Sequence, residues 1–171
     1  MKKIIFFDVI FTFLLAFLFH NLYKYIPNFI FSIFFPVNES IWEHMKLLFT
    51  TVFFSDLFLY FFFFKKKKIN NYFLSSFITS LLSIPIYLII FLPIYFNFGE
   101  NFIFSILLML FVIILAKYFK YKIIRYKNLY LDIFSIILII IYYLVFLILT
   151  YYPMNNLFFL DSINNCFGIC K

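Results

Sequence analysis

The residues best equipped for chemistry sit in one stretch directly after Pro36: Asn38-Glu39-Ser40-Ile41-Trp42-Glu43-His44-Met45-Lys46. Two carboxylates and an imidazole this close together can exchange protons, ligate a metal or hold a polar headgroup. Part of the stretch has an architectural use. Ser40-x-x-Glu43 fits a capping box, in which the Ser hydroxyl takes the Glu43 amide and the Glu43 carboxylate returns to the Ser40 amide. Trp42 stands where an interfacial indole anchors a span, and Lys46 can pair with Glu43 at i+3. Capping leaves Asn38, Glu39 and His44 without a task. Glu43 and His44 are therefore the candidate acid–base residues, and Asn38, Glu39, Trp42, Lys46 and His20 the candidate substrate-binding set. The spacing matches no zinc motif such as H-E-x-x-H, so no metal site is assigned and no cofactor is identified. Beyond Ser40, which the cap occupies, there is no candidate nucleophile.

A second candidate is Asp56, which lies inside an apolar run. An acid at mid-membrane costs about 2.5–3.5 kcal/mol on insertion scales and should face protein or water. Ser76, Thr79, Ser80 and Ser83 follow helical spacing on a neighbouring span, and Thr79 and Ser80 reach about the depth of Asp56. The expectation is that Asp56 faces this stripe, either as helix–helix glue or as a proton or cation site. Asp8, close to Lys3, reads as an inner-leaflet acid that snorkels or pairs.

The elements that position these groups must lie in lipid. Of 171 residues, 67% are apolar and 12% charged, with a mean hydropathy of +1.08. Soluble domains run at about 45–50% apolar and about 25% charged. This excludes a secreted globular domain, a disordered tail and a nucleic-acid reader, despite the net charge of +7. The 32 phenylalanines read as compositional bias and carry no functional weight. A bilayer core takes about 20 apolar residues of helix. Five stretches qualify, at about 4–22, 46–64, 72–96, 102–119 and 131–151, within a single integral membrane domain. The fold class is thus all-α, a polytopic transmembrane bundle. The segment from Pro27 to Pro36 is too short to span and reads as re-entrant or interfacial. Pro85 and Pro93 can kink the third span or open a cavity beside it.

Basic residues fall at alternate ends of the spans. Lys2, Lys3, Lys65 to Lys68, Lys117, Lys120, Lys122, Arg125 and Lys127, eleven of the fourteen Lys and Arg residues, share one side. The positive-inside rule makes that side cytoplasmic, with the N-terminus in, and the tail 152–171 extracytoplasmic in a plasma membrane. The Lys65–Lys68 run reads as a stop-transfer anchor. The first span resembles a signal peptide after Lys2 and Lys3, but bulky Phe17-Leu18-Phe19-His20 offers no cleavage site, so it reads as an uncleaved anchor. Cys166 and Cys170 in the tail are open to a disulfide or to two thiols.

The stretch from Asn38 to Lys46 resembles the N-E-S-x-W-E-H-x-K signature of a family of small, uncharacterised bacterial membrane proteins carrying a domain of unknown function. Asp161 and Gly168 stand where that family has a C-terminal acid and a glycine. The resemblance implies the architecture and the choice of site, and no reaction. Three functional readings follow. The favoured one is a membrane protein with a polar site at the outer leaflet that binds or processes a lipid or amphiphile headgroup. The others are a small transporter using Asp56, and a structural subunit that works with a membrane-protein partner or as a homo-oligomer. No P-loop, dinucleotide fingerprint or G-x-S-x-G is present.

Overall fold

The computed structural model describes residues 2–64, 69–99, 101–161 and 163–169. The Lys65–Lys68 run, Glu100, Cys170 and Lys171 lie outside the described residues. The described residues form six helices and one small hairpin: α1 (Lys2–Tyr25), α2 (Phe29–Phe34), α3 (Ile41–Leu59), α4 (Tyr72–Phe98), α5 (Phe102–Ile124), α6 (Asp132–Tyr151), β1 (Leu160–Asp161) and β2 (Cys166–Phe167). A π-helical turn over Tyr60–Phe64 extends α3. Every helix except α2 is long and apolar enough to cross a membrane. The protein is an all-α polytopic bundle with five such helices.

Polar side chains set the helix starts. The Asn28 side chain accepts from the Phe31 amide, Ser40 from Glu43 and Asn101 from Phe104, each satisfying an amide that has no partner within its helix. Asp132 at the start of α6 accepts instead from the Leu74 amide, tying α6 to the first turn of α4. Gly99 ends α4 with a φ of 77°, a left-handed conformation that glycine adopts without strain.

α3 is the most enclosed span. It packs against α1 and α4, while α4 also lies along α5 and α6. Outward faces carry exposed Phe6, Leu14, Ile89, Ile103, Ile133 and Ile140, the surface that a bilayer would cover. α2 has six residues, too few to cross, and its buried Ser32 lies 3.1 Å from the Tyr151 hydroxyl of α6.

Two span ends differ from the sequence reading, for one reason. α3 begins at Ile41 and α5 runs to Ile124, because Lys46, Lys117 and Lys120 are helical residues turned inward and buried. A lysine paired with a carboxylate can lie inside a span where an unpaired one would end it. Lys117 and Lys120 are therefore not loop charges. Both prolines sit within α4, whose second half presents a ladder of stacked rings, Tyr87–Phe91 and Phe91–Tyr95, with centroids 5.2 and 5.3 Å apart.

Candidate functional site

At the end of the bundle where α1 finishes and α3 begins, three side chains from separate elements converge. His20 comes from the last turns of α1, Glu39 from the loop before α3, and His44 from the first turn of α3. Both imidazoles aim Nε2 at the same carboxylate oxygen, Glu39 Oε2, at 3.3 Å from His20 and 3.5 Å from His44. The ring centroids are 5.4 Å apart. The His44 Nδ1–H donates to the Ser40 carbonyl at 3.0 Å, which turns Nε2 toward the trio. All three side chains are about one-third exposed (33%, 35% and 29%), so a ligand can reach them. The hydrogen bond from His20 and the positive potential of both rings hold the Glu39 carboxyl below its ordinary range, against the opposing effect of burial.

The trio forms the polar end of a cavity of about 470 Å³ enclosed by α1, α3, α4, α5 and the tail. The walls are otherwise largely apolar: Ala16, Leu48, Phe91, Tyr95 and Met109 are among them. A pocket of this size with a few convergent polar groups has the anatomy of a small-molecule site.

The other signature residues build the frame. Ser40 caps α3 at 3.3 Å, as the capping box requires, but the return half is absent. The Ser40 amide donates to the Asn38 side chain, and Glu43 turns the other way. Its carboxylate is buried and takes the Val37 amide (3.1 Å), the Thr150 hydroxyl (2.8 Å) and Lys46 Nζ (2.5 Å). Lys46 also donates to the Ser32 carbonyl and to Thr150, so this pair ties α3 to α2 and α6. Neither Glu43 nor Lys46 lines the cavity. Trp42 packs against Phe146 and Phe159, with centroids at 5.2 and 5.1 Å, and its amide donates to the Phe158 carbonyl.

The tail completes the frame. Asn38 Nδ2 donates to the Gly168 carbonyl at 2.7 Å, and the Glu39 backbone amide donates to Asp161. Burial pushes the Asp161 carboxyl up, but hydrogen bonds from the Asn164 side chain and the Asn164, Ile163 and Glu39 amides outweigh it and hold the group below its ordinary range. Gly168 has a φ of 66°, and a Cβ there would lie 2.7 Å from the Thr150 carbonyl oxygen. The acid and the glycine of the tail thus dock onto the signature and fix the loop that carries Glu39.

Asp56 occupies a second polar centre. It is wholly buried, and its Oδ1 takes Lys117 Nζ at 2.5 Å and Lys120 Nζ at 2.6 Å. Asp8 of α1 meets the same lysines at 3.0 and 3.3 Å. Ser55 accepts from Lys117 at 2.6 Å and from Thr12 at 2.8 Å, and Tyr72 donates to the Asp56 carbonyl. The Asp56 side chain thus pairs with the fourth span and not with the stripe on the third. Thr79 and Ser83 bond to carbonyls of their own helix, while Ser80 Oγ has no partner among the described residues. The sequence reading missed Lys117 and Lys120 as site residues. Their i, i+3 spacing inside LAKYFK, which puts both on one helix face, was the available signal.

The fold, with its five apolar helices, defines an integral membrane protein of the multi-pass helical class. The chain belongs to the Family of unknown function (DUF6512), which matches residues 1–169. Neither a curated protein nor a solved structure matches it.

Proposed function

We propose that this protein binds, and acts on, the headgroup of a lipid or other amphiphile at the outer leaflet, with its apolar chain in the cavity between α1, α3, α4 and α5. One observation carries the reading: His20, Glu39 and His44 form a polar, solvent-reachable cluster on an otherwise largely apolar cavity of about 470 Å³. An amphiphile has the same division of polarity. Glu39 and the two imidazoles would engage the headgroup, with His44 as the acid–base residue because its Nδ1 is anchored on Ser40. Asn38, Trp42, Glu43 and Lys46 would serve by fixing the loop and the start of α3. The orientation we propose has the N-terminus in the cytoplasm and the trio at the extracytoplasmic side of a plasma membrane.

The transporter reading loses support from the pairing of Asp56, because Lys117 and Lys120 already balance the charges of Asp56 and Asp8, leaving the centre without the net negative charge that would draw a cation. Extraction and mass spectrometry of lipid co-purified with the full chain tests the headgroup reading. The wild type should carry one lipid class in excess over the bulk membrane, and Met109→Trp, which fills the cavity, should lose that excess. Equal lipid profiles in both would refute it. Orientation is tested by thiol labelling: after mild reduction, Cys166 and Cys170 should react with a membrane-impermeant reagent on intact cells. Labelling only after lysis would reverse the assignment.

A further inference from the structure

We infer that His20, Glu39 and His44 form a divalent transition-metal site, of the zinc class, whose remaining coordination position opens into the apolar cavity. The inference deepens the headgroup reading and rests on the same pocket, but with His44 Nε2 as a metal ligand in place of an acid–base group. It starts from a conflict of hydrogen-bonding roles. A carbonyl oxygen only accepts, so the contact between His44 Nδ1 and the Ser40 carbonyl places the imidazole hydrogen on Nδ1. With that hydrogen on Nδ1, the neutral form of the ring directs the lone pair of Nε2 at Glu39 Oε2, 3.5 Å away, which is itself an acceptor. Two acceptors facing one another require a cation between them, either a proton or a metal ion.

The geometry favours the metal. Zinc–ligand bonds of about 2.0–2.1 Å in a tetrahedron put neighbouring ligand atoms about 3.3 Å apart. Glu39 Oε2 lies 3.3 and 3.5 Å from the two Nε2 atoms, and all three ligand atoms fall within 4.8 Å of one another. The longer edge closes by rotation of two partly exposed rings. Two His and one Glu with a vacant position is a ligand set of catalytic, not structural, zinc. The supporting contacts are also those such a site uses. One imidazole donates its second N–H to a backbone carbonyl, and the loop carrying the carboxylate ligand is held by its amide on Asp161. The ligands come from two helices and a loop, so no linear zinc motif could have revealed them. The vacant position faces the cavity, where an oxygen of an amphiphile headgroup can coordinate.

The test uses the full chain in detergent, purified through a tag without histidines, stripped with a chelator and reloaded with Zn²⁺ or Co²⁺. The folded wild type should retain about one Zn²⁺ per chain, and His20→Ala, Glu39→Gln and His44→Ala should each weaken retention by about tenfold or more. Cys166→Ser/Cys170→Ser should keep the ion. The Co²⁺ form should show the intense visible bands of a low-coordinate nitrogen–oxygen site, a readout that needs no variant. A monodisperse wild type without Zn²⁺, a weak octahedral Co²⁺ spectrum, or full retention by His20→Ala/His44→Ala would overturn the inference. Lipid is measured on the same preparation. Metal without enriched lipid removes the headgroup reading alone, and enriched lipid without metal removes the metal site alone.

Discussion

Removing the charge of Asp56 should be among the most damaging single changes in this chain. The centre holds two acids and two lysines, all fully buried, so its formal charges cancel. Asp56→Asn conserves shape but leaves Lys117 and Lys120 sharing Asp8 alone, one positive charge in excess inside the bundle. Breaking a buried ion pair from one side costs about 3–5 kcal/mol, because the remaining charge has lost its solvent and its partner. Against a typical stability of about 5–15 kcal/mol, that would lower the folded population and the expression yield. Adding Lys117→Gln restores neutrality, and a coupling of about 1–3 kcal/mol should return. The assay is denaturant unfolding in mixed micelles, followed by the fluorescence of Trp42, the single tryptophan. If Asp56→Asn costs less than about 1 kcal/mol, as exposed pairs do, the centre is hydrated and the argument fails. A double variant no better than the sum of its single changes would also refute it.

Gly168→Ala should undock the tail, since its Cβ meets the Thr150 carbonyl at 2.7 Å and the left-handed backbone adds about 1–2 kcal/mol of strain. Limited proteolysis should then cut the tail faster, and Trp42 emission should shift; an unchanged cleavage rate would contradict the docking. Ser40→Ala should cost about 1 kcal/mol through loss of the α3 cap, whereas His44→Ala should leave stability nearly unchanged and impair ligand retention. Equal destabilisation by both would return His44 to a purely structural role. Lys46→Met should destabilise by about 3–5 kcal/mol through the Glu43 carboxylate it abandons, although neither residue reaches the cavity.

The helices were legible because lipid imposes long apolar runs, and Ser40 was legible as a cap because its hydroxyl acts within three residues. What escaped depended on distant segments. Glu43 was read as bonding back to the Ser40 amide, yet Asn38 takes that amide and Glu43 is drawn to Lys46 and to Thr150 on α6. Asp56 was matched to hydroxyls at the right depth, but a charge prefers an opposite charge, and α5 supplies two lysines. Those lysines looked like a loop because charge in an apolar sequence ordinarily marks the membrane edge. The sequence puts His20 and His44 in one candidate site. That both would aim Nε2 at one oxygen of Glu39 could not be read from a linear spacing.

The most direct measurement of the central claim is photolabelling of the full chain in a bilayer with two diazirine lipids, one carrying the reactive group in the headgroup and one at the end of the acyl chain. Peptide mapping then locates each adduct. The headgroup probe is expected on Glu39 and its neighbours in the loop before α3, and the chain probe on Met109 or Phe91 inside the cavity. Adducts restricted to outward residues such as Phe6, Ile103 and Ile133, with the cavity unlabelled by either probe, would contradict a lipid or amphiphile site.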